Sequence, residues 1–250
     1  MAVHLRNPHS VLAALEQRPQ AVVEIRLPTD KPTGAWRQVV EAAREIRVPI
    51  LRSAPVGDSR RRQRHAPANS GRSGQAEATV KERATVSVEE LFANAVSVRD
   101  GCGLWLALDR IQDPHNVGAI FRAAAFFGVV GVIITRDQSA PLSQTVYDVA
   151  SGGIEHVPFS SPPNLSRALK TAKKAGLWIL GATEHAETGM SDVARDRPWV
   201  LVLGNEEGGL RRLTLDQCDC VCALSGAGPV KSLNVSVAAG VLMSQLTSLH

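Results

Sequence analysis

The segment Leu106–Gly128, LALDRIQDPHNVGAIFRAAAFFG, is an apolar strand followed by a short polar turn and then a helix expected to open at Asn116. Val117, Ile120, Phe121, Ala124 and Phe127 recur at helical spacing, which assigns that face to a core. Arg122 falls on the other side, one turn after Gly118. Helical side chains lean toward the N-terminus of their helix. On this reading Gly118 removes the Cβ that would bar Arg122 from the loop at the helix start. Asn116 stands at that start, where an amide can cap the helix and still face a ligand. Taken alone, the segment fits an arginine aimed at a strand-end pocket and a solvated arginine on an amphipathic helix equally well.

Two later segments separate these readings. In Val200–Leu210, VLVLGNEEGGL, an apolar strand enters the loop Gly204-Asn205-Glu206-Glu207-Gly208-Gly209, and Arg211 and Arg212 follow in the next helix. In Val230–Gly240, VKSLNVSVAAG, a lysine-serine turn leads into a helix of small residues. Three strand-loop-helix units with polar turns put one pocket along the carboxyl edge of a parallel sheet, where α/β folds bind ligands. The glycine loop is neither GxGxxG nor a P-loop. A nucleotide-dependent oxidoreductase would need that fingerprint and an acidic residue about twenty positions on.

In this order the three segments resemble the SpoU branch of the SPOUT methyltransferases, which methylate RNA ribose 2′-hydroxyls. The resemblance rests on Asn116 and Arg122, then Gly204 and Glu206, then the run Ser232-Leu233-Asn234-Val235-Ser236. It spans roughly Leu104 to the C-terminus. The whole chain is similar to longer members with an N-terminal RNA-binding domain, which include enzymes methylating a guanosine ribose in 23S rRNA. Where the family usually has an Ile-Pro-Met-like run, this chain reads Leu224-Ser225-Gly226. Leu224 keeps an apolar contact and a backbone carbonyl, but the rigid proline is missing.

The resemblance implies S-adenosylmethionine as cofactor, held largely by backbone groups at Gly204, Leu224 and Leu233. It implies Arg122 as the catalytic residue, with Asn116 placing substrate or the arginine. Glu206 is expected to hold Arg122 or the adjoining loops, and Ser232 and Asn234 to order the last loop and line the pocket. A C-terminal trefoil knot and a homodimer whose partner completes the site are implied as well. Two alternatives are a tRNA guanosine methyltransferase on the same fold and a non-catalytic RNA-binding protein on the same scaffold. A mere scaffold has no need of Asn116, Arg122, Glu206 and Ser232 together.

Composition agrees with an α/β protein. Apolar residues make up 44% of 250 and aromatics only 4%, so the core is expected from Val, Leu, Ile and Ala. No apolar run approaches a membrane span, and the first residues lack a secretory pattern. The expectation is a soluble, cytoplasmic protein. The formal charge of +4 is concentrated between Ser59 and Arg83, whose net charge is +5. The run 57–75, rich in Arg, Gly, Ser and Pro, is expected to be a mobile basic loop that contacts RNA phosphates.

The expected organisation is a small α/β RNA-binding domain over 1–86, a linker over 87–103 and a methyltransferase domain with a mostly parallel sheet over 104–250. Gln75–Lys81 is expected as an edge strand, Glu155–Phe159 as a short strand, and Ser87/Glu90 as a capping box. Cys218, Cys220 and Cys222 alternate at strand period without CxxC spacing or a paired histidine. They read as reduced thiols rather than metal ligands, and no metal is expected.

Overall fold

A computed structural model describes residues 1–53, 75–230 and 232–247. The basic run 57–75 lies almost wholly outside the described residues, as does Lys231. The chain divides into two compact units, Met1–Arg83 and Ala84–His250.

The first unit carries β1 (Ala2–Leu5), α1 (Pro8–Gln17), β2 (Val22–Leu27), α2 (Ala35–Glu45), β3 (Ile50–Arg52) and β4 (Glu77–Lys81). Asn7 caps α1 by accepting from the His9 amide, and Pro8 fills the first helical position. The sheet order is β1-β4-β2-β3, with β2 and β3 parallel and β4 antiparallel to both its neighbours. The expected edge strand is therefore internal. Ala78 and Val80 are fully buried, and the short β1, whose Val3 and Leu5 alternate in the same way, covers the outer side of β4.

The second unit contains α3 (Val88–Leu91), β5 (Leu104–Asp109), α4 (Pro114–Phe127), β6 (Gly131–Ile134), α5 (Gln144–Ala150), α6 (Gly153–His156) and β7 (Phe159–Ser160). It continues with α7 (Leu165–Lys174), β8 (Trp178–Ala182), β9 (Trp199–Gly204), α8 (Arg212–Leu215), β10 (Cys220–Cys222) and α9 (Val235–Thr247). Six strands form one sheet in the order β10-β8-β9-β5-β6-β7, and every pairing is parallel. The strands β5, β6 and β9 are apolar, save for Asp109 at the end of β5, and buried on both faces, as parallel strands between helical layers should be.

One face of the sheet packs Trp105, Ala107, Ile133, Ile179, Val200 and Val202 against α3 and α7. Leu104, Leu106 and Leu108 point to the opposite face, where α9 meets β5 and β9 and α4 lies among α5, α6 and α9. The stretch 87–103, expected as a linker, belongs to this unit. Leu91, Phe92 and Ala95 are buried in its core, and the Trp105 indole donates to the Leu91 carbonyl at 3.0 Å. The Ser87/Glu90 capping box forms as expected and holds the Glu90 carboxyl below its ordinary pKa, chiefly through the Ser87 amide.

Of the expected strand at Glu155–Phe159, Glu155 and His156 close α6 and only Phe159 pairs with β6, in a strand that extends to Ser160. α6 approaches α4 closely. A Cβ on Gly153 would lie 2.5 Å from the Phe121 carbonyl oxygen.

Candidate active site at the carboxyl edge of the sheet

Asp109 ends β5 and pairs in register with Gly204, which ends β9, so the loops that follow begin side by side. The loop after Gly204 folds back on itself. Asn205 Oδ1 accepts from the Glu207 and Gly208 amides at 3.0 and 3.2 Å, and its Nδ2 donates to the Arg110 carbonyl at 2.9 Å. The Gly209 amide donates to the Asn205 carbonyl. A Cβ on Gly204 would lie 2.6 Å from both the Gly209 oxygen and the Leu210 nitrogen, so this tight return needs glycine.

Asp109 is fully buried beneath this loop. Its Oδ2 accepts from Thr214 Oγ1 at 2.8 Å and from the Arg211 amide at 3.1 Å, and Arg211 Nε lies 2.7 Å from Oδ1. A buried carboxylate needs such partners. Asp109 and Asn205 were not singled out from the sequence, although a lone acid closing an otherwise apolar strand was the available signal.

Above this foundation lies a chain of side-chain hydrogen bonds joining all three motif segments. Asn116 Nδ2 donates to Glu206 Oε1 at 2.5 Å, and Asn234 Nδ2 donates to Asn116 Oδ1 at 3.0 Å. Asn234 Oδ1 in turn accepts from the Ser236 amide at 2.9 Å and hydroxyl at 2.6 Å, in the first turn of α9. An ionised carboxylate only accepts, so Glu206 fixes the orientation of the Asn116 amide. That orientation then fixes Asn234. Asn116 is buried, while Glu206 and Asn234 are exposed to solvent at the edge.

Several expectations are corrected here. The helix opens at Pro114, and Asp113 caps it through the His115 amide at 2.8 Å, so Asn116 is free to bridge loops rather than cap. Of the two roles expected for Glu206, it does not hold Arg122 but does tie the adjoining loops, through Asn116. Ser232 is exposed with no hydrogen bond among the described residues, whereas Asn234 orders the last loop as expected, through Ser236 at the end of the same motif run. Leu233 is 54% exposed and Leu224 half-buried, so neither side chain belongs to the core.

Arg122 is exposed and has no partner among the described residues. Six positions beyond Asn116, it lies about 9 Å further along the helix axis and turned well away from it. It borders a groove of about 320 Å³ with Ala119, Ala123, Phe126, Phe127 and Val149. Gly118 does not clear a path for it. A Cβ there would lie 2.7 Å from Val149 Cβ and 2.8 Å from the Val146 carbonyl oxygen, so the glycine serves the contact between α4 and α5.

Among the described residues no group of three or more His, Cys, Asp or Glu side chains gathers where one ion could be held. Burial pushes the Cys218 thiol up to about 12 and the Cys222 thiol up to about 11, which keeps both protonated and weakly nucleophilic.

Comparison with known proteins agrees with this arrangement. The SpoU rRNA Methylase family matches residues 103–244. A 23S rRNA (guanosine-2'-O-)-methyltransferase of Nitrosomonas europaea is 34% identical over 97% of this chain and 90% of its own length. The protein of that name from Pseudomonas aeruginosa is 35% identical over 95% of this chain and 93% of its own. Among solved structures, the SpoU methyltransferase AviRb of Streptomyces viridochromogenes, crystallised with AdoMet, has the same fold. It aligns with a TM-score of 0.76 at 20% identity, over 98% of this chain and 89% of that one. By the matched motif region and by full-length similarity, the chain belongs to the SpoU rRNA methylase family.

Proposed function

We propose that this protein transfers a methyl group from S-adenosylmethionine to the 2′-hydroxyl of a guanosine ribose in 23S rRNA. The observation that carries the reading is the Asn116–Glu206–Asn234 chain, which ties the three motif segments into one edge-facing site. It stands in a chain about one-third identical, nearly end to end, to proteins named for that activity.

The residues present fit the cofactor. Leu224, Ser225 and Gly226 make no backbone hydrogen bond to another described residue, so their amides and carbonyls remain available beside Gly204 and Leu233. S-adenosylmethionine supplies an already electrophilic methyl when bound. The protein must then orient the ribose hydroxyl and stabilise charge as its proton leaves. A guanidinium stays protonated at ordinary pH and is a poor base. Arg122 therefore acts as a forked donor to the developing alkoxide or a neighbouring phosphate, and RNA phosphate or water takes the proton.

Arg122 and the asparagine–glutamate chain sit apart on α4, which supports a homodimer in which Arg122 of one protomer completes its partner's site. The surface supports it too. Phe126 on α4 is 83% exposed, and Val237 and Val241 on the adjoining α9 are 52% and 37% exposed. The trefoil knot implied by the resemblance is supported by the return of the chain to α4 at Asn234, 118 residues after Asn116. The first unit, with the basic run that follows β3, is the RNA-binding domain in this reading. No helix among the described residues is long and apolar enough to cross a membrane, which fits a cytoplasmic enzyme.

Purified protein incubated with methyl-tritiated S-adenosylmethionine and separate 23S rRNA transcript and tRNA pools tests the assignment. The expected result is label in the 23S transcript, recovered as 2′-O-methylguanosine after nuclease digestion. Label confined to tRNA, or to a base rather than a ribose, overturns it.

A further inference from the structure

The outer face of α7 carries Arg167, Lys170 and Lys174, all exposed and none with an ion-pair partner among the described residues. Positions three and seven residues apart lie on one stripe of a helix, here about 10 Å long. No acidic residue occurs anywhere in Leu165–Trp178. Amphipathicity accounts for a polar face, and the last-turn lysines suit the negative end of the helix dipole. Neither accounts for Arg167, which stands in the first turn, where the dipole favours an acid and none is present.

The neighbouring acids are largely committed elsewhere. Asp219 is engaged by Lys173 Nζ at 2.7 Å and by the Ile179 amide at 2.8 Å. Glu90 of α3 is held by Ser87. Glu89 and Asp216 are exposed and make no ion pair with the stripe.

The stripe begins at the carboxyl edge of the sheet, the edge that carries the site. β7 ends there and α7 runs back to the start of β8, so Arg167 is the end of the stripe on that edge. α8, which follows the Gly204–Leu210 loop, packs on α7 and adds the exposed, unpaired Arg212. At the far end stands Trp178, 42% exposed, with the Arg197 guanidinium 4.5 Å from its ring centre.

We propose that Arg212, Arg167, Lys170 and Lys174 form a track for the RNA phosphate backbone leading away from the methylation site across α7. The track holds RNA flanking the target nucleotide and does no chemistry. This inference rests on the proposed RNA substrate, but it concerns a surface outside the motif residues and is separable from catalysis. Polyanion binding follows from unpaired cations at helical spacing, and its signature is a steep salt dependence.

The test is the triple variant R167Q/K170Q/K174Q of the full-length protein, checked for an unchanged melting temperature. Filter binding of 23S rRNA transcript is measured across several salt concentrations. Loss of three phosphate contacts should flatten the log affinity against log salt slope by about 2 to 3. In the methylation assay KM for RNA should rise by about tenfold at moderate salt, while kcat and S-adenosylmethionine affinity hold. An unchanged slope and KM overturn the track and leave the stripe to an acidic protein partner. A flattened slope in the variant, beside a wild type that binds RNA but transfers no methyl group, supports the track and defeats the proposed reaction instead. Absence of RNA binding by the wild type overturns both.

Discussion

At its N-terminal end α4 is tied down by side chains from two other loops, whereas nearly two turns further on the same helix presents Arg122 with no partner among the described residues. Asn116 is buried and uses both ends of its amide; Arg122 is exposed and uses none of its donors on those residues. The first arrangement is preorganised, and its hydrogen bonds contribute to stability as well as to site shape. The second contributes little to the fold of this chain, and in the proposed reading Arg122 serves substrate at a partner's site. On that reading one helix carries a structural half and a reactive half, and the two should respond differently to substitution.

The largest expected effect is on Arg122. Arg122→Ala should lower kcat by about 10²–10³-fold, the usual consequence of losing one transition-state donor, with melting temperature and cofactor affinity unchanged. Arg122→Lys should fail similarly, because an ammonium does not reproduce the fork. Steady-state methylation beside a thermal melt checks both, and a large loss of stability would blur the contrast between the two halves.

Asn116→Ala should do the opposite in kind. Removing the bridge leaves Glu206 and Asn234 without their shared partner and should cost about 1 kcal/mol of stability together with a several-fold rise in KM for S-adenosylmethionine. Denaturant unfolding and cofactor titration measure the two effects. Gly118→Ala sharpens the comparison, since it lies between the two ends. A Cβ there meets the Val146 carbonyl, so the substitution should destabilise by about 1–3 kcal/mol, reversing the gain usual for Gly to Ala in a helix. A melting temperature at or above wild type would show that α5 yields at that contact.

The smallest effect concerns the thiols near β10. Cys218 and Cys222 have pKa values raised in the folded state, so their contribution to stability is complete below about 9. It fades as pH rises toward their folded values of about 12 and about 11. At pH 8 iodoacetamide should label the exposed Cys102 well before either of them, as read by mass spectrometry of tryptic peptides.

The apolar runs of β5, β6 and β9 and the period of α4 and α7 made the parallel sheet legible before any coordinates. The three polar turns also located the site edge, because a parallel sheet puts such turns together. What the sequence concealed was pairwise. Glycine at 118 reads the same whether it clears a side chain or admits a neighbouring helix, and only the position of Val146 and Val149 decides. A carboxylate such as Glu206 can serve an arginine or an amide with equal chemistry, so its choice of Asn116 was invisible. β4 looked like an edge because β1 is four residues long at the chain start, and its pairing is non-local. Asp109 and Asn205 act through bonds to segments far along the chain or to backbone amides, which no residue pattern displays.

The most direct test of the divided helix is subunit complementation. Arg122→Ala protein, nearly inactive alone, and Glu206→Ala protein, impaired at limiting S-adenosylmethionine, are unfolded together, refolded as a mixture and assayed at limiting cofactor for methylation of 23S rRNA transcript. Activity well above both parents is the expected result, since a mixed dimer regains one site with an intact Arg122 from one chain and an intact Asn116–Glu206 pair from the other. Mixed dimers that are shown to form, by differential tagging and mass measurement, yet remain as inactive as their parents would contradict it.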